Sequence, residues 1–106
     1  MKKKTTKLKT NQAKPFVIVR AHTAGVHAGY LDSRDETTVI LSKSRRLWQW
    51  SGGSLSEVAA YGPANGTNKF GAELELLTIV SQQGLEIAQC SSDAIKRIQA
   101  VPEWRA

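Results

Sequence analysis

The residues best suited to recognition or chemistry lie in one run, KSRRLWQW, from Lys43 to Trp50. It sets Lys43, Arg45 and Arg46 against Trp48 and Trp50. A guanidinium fork matches phosphate oxygens, and an indole offers a flat face on which a base can stack. At strand spacing Arg46, Trp48 and Trp50 share one face, and Arg45, Leu47 and Gln49 share the other. The grouping suits a base with its phosphate, a single bound nucleotide, or a protein contact in which Trp and Arg act as anchors. The competing use is structural, because tryptophan carries a large apolar area and a small domain needs it inside. The reading taken is that one tryptophan is core and both arginines are outside. Lys43, Arg45 and Arg46 then form the concentrated positive patch that first meets a ligand. His27 is expected in the same groove, since strands adjacent in sequence usually pair in space.

Catalytic groupings are weaker. His22 and His27 are the two histidines. A zinc site needs three or four ligands, and no third is evident beside them, so no metal is expected. Cys90, the single cysteine, falls on a stretch that reads as core. A nucleophile needs a base and an orienting group within reach, and a small buried thiol is the commoner fate. GVHAG and WSGGS lack the lysine and spacing of a phosphate loop. The chain is therefore read as a binding protein rather than an enzyme, with no cofactor.

The totals agree with one small domain. The chain has 106 residues, 41% hydrophobic and 23% charged, and a formal net charge of +6. That charge is localised. Lys2, Lys3, Lys4, Lys7, Lys9 and Lys14 supply six of the fifteen basic residues, which leaves nine against nine acidic ones from residue 15 onward. Residues 1–14 are read as a flexible basic arm that can hold phosphate backbones without reading sequence, and residues 15–106 as a neutral folded domain. The bland role of such an arm is solubility. No apolar run approaches the ~20 residues of a membrane helix, and the basic N-terminus has no apolar segment behind it, so neither membrane nor secretion is expected. One cysteine excludes an internal disulfide and fits a reducing cytoplasm. With so little core, homo-oligomerisation is expected.

These residues must be positioned by a β-rich frame. PFVIVRAH is short and β-branched and predicts a strand. AGVHAGYLDSR predicts a second strand, with glycines where another segment passes close. SRDE is a turn, TTVILS a third strand, and KSRRLWQW either continues it or starts a fourth after a bend at Lys43-Ser44. Ser54 and Glu57 form an S-x-x-E capping box that opens a short helix ended by Gly62-Pro63. PANGTNK is a loop. AELELLTIV and GLEIAQC are strands. SSDAIKRIQAV is a helix capped by Ser91 or Ser92, with Ala94, Ile95, Ile98 and Val101 on one stripe. Trp104, beyond Pro102, is expected to dock back on the domain. The fold expected is α+β, mainly β: a small antiparallel, partly open barrel, SH3-like or Sm-like by analogy of pattern, with two short helices.

AGVHAGYL (24–31), SRRLWQWSGG (44–53), SLSEVAAYG and IAQCSSDAIKRI together resemble a group of small proteins of tailed bacteriophages and prophages. The resemblance covers roughly residues 16 to 104. It implies a gene acting in a bacterial host cytoplasm and implies no reaction, cofactor or catalytic residue. The function expected is a non-enzymatic accessory protein that binds a phosphate-bearing ligand, nucleic acid first. The alternatives are a counter-defence protein that sequesters a nucleotide signal, and a virion or host-protein interaction component.

Overall fold

The computed structural model describes residues 6–7 and 14–105. Seven strands and two helices follow in the order β1 (Thr6–Lys7), β2 (Phe16–Ala21), β3 (Gly25–Arg34), β4 (Thr38–Gln49), α1 (Leu55–Tyr61), β5 (Lys69–Phe70), β6 (Leu74–Val80), β7 (Leu85–Gln89) and α2 (Ser92–Ala100). All strand pairings are antiparallel, and β6, β4, β3, β2 and β7 lie side by side in that order. The short β1 runs beside the end of β3, and β5 beside the end of β4. Among the described residues no helix is long and apolar enough to cross a membrane.

β2 shows why the sheet curls. Its β-branched residues are buried on both faces. Val17, Val19 and Ala21 share an apolar interior with Leu31 of β3, Val39 and Leu41 of β4 and Ile79 of β6. Leu85 and Ile87 of β7 pack against that same interior, so both edges of the sheet reach it. Residues 81–84 join the two edge strands, yet β6 pairs with β4 and β7 with β2. The result is the partly open, mainly β barrel that the strand pattern leads one to expect. The opposite face of β2, Phe16 and Ile18, packs with Ala28, Leu47 and Phe70 under the helices, where Leu55, Val58, Ala59, Ala94 and Ile98 close a second core. On the edge strand β6, Leu74, Leu76 and Val80 point outward and are exposed.

Both helices begin where their capping residues place them. The Ser54 N–H donates to the Glu57 carboxylate at 3.0 Å, and Gly62, at φ 85°, donates back to Val58 O at 2.8 Å to end α1. The Ser91 hydroxyl accepts the Ala94 N–H at 3.0 Å and donates to Ala60 O at 2.7 Å. One serine thus starts α2 and ties it to the end of α1.

β4 continues through Lys43-Ser44 as one strand, but it changes face there. Tyr30 is opposite Ser42 and Ala28 is opposite Arg45, so two residues of β4 face one of β3. This is a β-bulge, and Lys43 adopts φ 52° within it. An extra residue reverses the alternation. Before the bulge, Val39 and Leu41 point into the barrel; after it, Leu47 points to the helix-side core, and so does its neighbour two residues back, Arg45.

Candidate functional site

Arg45 is inside, which corrects the expectation that both arginines lie on the surface. It is only 8% exposed. Its Nε donates to Gly71 O at 2.8 Å, Nη1 to Ile98 O at 3.1 Å and Nη2 to Phe70 O at 3.2 Å, and the guanidinium lies 5.6 Å from the Phe70 ring centre. One side chain therefore joins β4 to β5 and to the end of α2. Burial pulls its pKa below the ordinary value, and Glu103 and Glu73 pull it back up. A buried guanidinium is tolerated because its donors are occupied by carbonyls. Sequence alternation assigned Arg45 to the Leu47 face correctly; what it lacked was the carbonyl cluster that makes that face habitable for a cation.

The opposite face carries the candidate site. The Arg46 guanidinium sits 5.0 Å from the Trp48 ring centre. Trp48 and Trp104 meet edge-on, 6.0 Å between centroids at 61°. Lys69 Nζ is 5.2 Å from the Trp104 ring centre. Three elements thus build one row, cation, ring, ring, cation: β4 supplies Arg46 and Trp48, β5 supplies Lys69, and the C-terminal segment supplies Trp104. Trp48 is 56% exposed, and Arg46, Lys69 and Trp104 are half-buried. Trp104 docks as expected, with its N–H donating to Phe70 O at 2.8 Å. Lys69 has no periodic signal, because a two-residue strand is too short to show one; only its place beside Phe70 in the pairing with β4 reveals it.

His27 and Gly25 support the Arg46 end of this row. His27 is opposite Arg46 across the β3–β4 pair and is buried. Its Nε2 contacts Ala24 O at 2.8 Å. A Cβ on Gly25, which has φ 87°, would stand 2.8 Å from Arg46 Nη1, so the guanidinium uses space that only glycine leaves. Burial lowers the His27 pKa; the Ala24 hydrogen bond raises it, and Arg46 lowers it again. His27 is neutral at pH 7 and underlies the site rather than lining an open groove. Because the folded pKa lies below the unfolded value of 6.5, the unfolded chain binds the extra proton first as pH falls. Stability from neutral His27 is complete above about pH 6.5 and is lost below it, down to the depressed folded value. The melting temperature is expected to drop between pH 7.5 and 5.5, and His27→Gln to flatten that drop. Thermal denaturation of both proteins across the range checks it.

The other expected contacts are dispersed. Lys43 is exposed and paired with Glu75 at 2.8 Å, away from the row. Trp50 packs against the helix-side core and its Nε1 donates to Gly53 O at 3.1 Å, so it is the structural tryptophan. Of the basic arm, Lys2, Lys3, Lys4 and Lys9 lie outside the described residues, Lys7 contributes backbone to β1 opposite Ser33, and Lys14 pairs with Asp32. His22 is exposed and His27 buried, and among the described residues no three His, Cys, Asp or Glu side chains gather as metal ligands. Cys90 is buried, which pushes its thiol up to about 11. A thiol so high is protonated near neutrality and is a poor nucleophile. What the arrangement offers chemically is a pair of indoles meeting edge to face, each with a cation over its ring.

A family model matches residues 14–98. The chain belongs to that family, a domain of unknown function, DUF6948. The matched span holds His27, Arg46, Trp48 and Lys69, and stops short of Trp104. No curated protein and no solved structure matches the chain.

Proposed function

We propose that the chain is a non-enzymatic binding protein for a phosphate-bearing ligand, nucleic acid first, working as an accessory protein of a phage or prophage. One observation carries the reading: the row Arg46, Trp48, Trp104, Lys69 gathers two indoles and two cations, each cation over a ring, on one part of the surface. Indoles stack on any base, and flanking cations neutralise phosphates. The site differs from the one the sequence suggests. Arg46 and Trp48 remain in it, Lys69 and Trp104 join it, and Arg45, Trp50 and Lys43 have structural partners instead. The phage setting rests on the AGVHAGYL and SRRLWQWSGG resemblance. The Lys-rich arm adds affinity that does not depend on sequence.

Salt dependence tests this. Each neutralised phosphate contributes about −0.7 to the slope of log K against log salt for a single strand. Arg46 and Lys69 alone then give a slope of about −1.4 in a protein lacking residues 1–13, and the full chain gives a steeper one. Fluorescence anisotropy of labelled oligonucleotides at several salt concentrations measures both slopes. Absence of binding at low salt to either protein rejects the proposal.

A further inference from the structure

Resting on that reading, we infer that the row of Arg46, Trp48, Trp104 and Lys69 takes single-stranded nucleic acid and excludes duplex, seating two neighbouring nucleotides with their bases splayed apart. The two rings decide this. They stand at 61° to each other with centroids 6.0 Å apart. Successive bases in a duplex lie parallel, and each has both faces covered by its neighbours. Two planes inclined so steeply can each accept a base only if those bases have left a common stack. Nor can the rings close on one base from both sides, because they meet edge to face. Each indole therefore serves a separate nucleotide once the cation lying over its ring, Arg46 over Trp48 and Lys69 over Trp104, swings from that face to the adjoining phosphate.

Several of the cations around the row already have partners. A protein that grips duplex through its backbone typically makes six to ten phosphate contacts. Here Lys43 is bound to Glu75, Arg20 to Glu86, Lys14 to Asp32 and Arg105 to Glu103. Arg45 is committed to three carbonyls in the interior. Arg34, Lys96 and Arg97 are exposed as well, and with the Lys-rich arm they can add phosphate contacts to strand or duplex alike, so the preference for strand rests on the two rings. Stacking on an indole is indifferent to the sugar, so DNA and RNA strands both meet the condition.

The test uses the full chain and four labelled probes: a twelve-residue thymidine strand, the matching uridine strand, a twelve-base-pair DNA duplex, and a twelve-base-pair RNA duplex. Anisotropy and quenching of tryptophan fluorescence are read together, since a base stacked on indole quenches it. At least one strand is expected to bind tenfold or more tighter than either duplex and to quench the emission. Trp48→Ala is expected to weaken strand binding about tenfold, and Trp48→Phe, which keeps a stacking face, to retain most of it. Trp48 is exposed, so both variants should fold, and their melting curves establish that. Duplex binding as tight as strand binding overturns the inference and leaves the nucleic-acid reading standing. Strand binding unchanged in Trp48→Ala also overturns it. Failure of all four probes at low salt overturns both.

Discussion

Arg45→Ala is expected to destabilise the protein by about 4 kcal/mol, the largest effect of any single side chain named here. Gly71 O loses its donor, while Phe70 O and Ile98 O each lose a charged donor and keep one backbone N–H, of Trp104 and Val101 respectively. A hydrogen bond to a charged group contributes about 1.5–3 kcal/mol, three such bonds are lost with less than full additivity among neighbours, and the empty acceptor cost falls on Gly71 O alone. The loss reaches two elements, because these carbonyls belong to β5, the residue after it, and the last turn of α2. Arg45→Met keeps much of the aliphatic stem but no donor, and should fall close to alanine. Arg45→Lys keeps the charge but cannot spread three donors across a planar fork, and should recover about half of the loss. Urea denaturation of the three variants gives these differences. Wild-type stability in Arg45→Ala would show that the guanidinium is dispensable to the fold and return Arg45 to the list of ligand contacts.

Much of the frame was legible because it rests on local signals. The β-branched run of β2, the glycines of β3 and the two serine caps each state their element within a few residues, and each stands where expected. The site was legible in part, for a different reason. Alternation along KSRRLWQW separates Arg46 and Trp48 from Arg45 and Leu47, and the structure keeps that division. Which face is exposed was not legible, since it depends on the bulge at Lys43-Ser44. That single inserted residue turns the odd positions of β4 from the barrel interior to the helix-side core. With the bulge in place, Leu47 and Arg45 are inside and the Arg46–Trp48 face is outside. Lys69 and Trp104 reach the site only through pairing and docking between segments more than twenty residues from Trp48 in the chain, and no local pattern records such a meeting. Arg45 misled for a related reason. A cation in the interior needs carbonyls converging from other elements, and their convergence is a property of the fold.

The bulge also locates the second large effect. Gly29→Ala is expected to cost about 2–3 kcal/mol, at the upper end of what overpacking does. Gly29 is the one residue of β3 opposite the two bulged residues of β4. A Cβ there would lie 2.8 Å from Ser44 Cβ, 2.9 Å from Ser44 Cα and 3.0 Å from Ser42 O. Gly29 does not adopt a positive φ, so the requirement is space alone. Two of the three close atoms are backbone, and β4 itself must move. Ser44→Gly should therefore rescue Gly29→Ala only in part, because it removes the Cβ contact and leaves the Cα and carbonyl contacts. Ser44→Ala alone is a useful control. Its Oγ is buried without a hydrogen-bond partner among the described residues, so losing the hydroxyl should be neutral or stabilise by up to about 1 kcal/mol. Chemical denaturation of the two singles and the double, read as a double-mutant cycle, separates these terms. Displacing β4 at Ser44 also shifts the strand that carries Arg46 and Trp48, two and four residues further on. Strand affinity should then fall in Gly29→Ala even under conditions where the protein remains fully folded, and return with the same partial rescue. Affinity unaffected in a folded Gly29→Ala would mean that the row is held by β5 and the Trp104 segment, and that the bulge sets the core without setting the site.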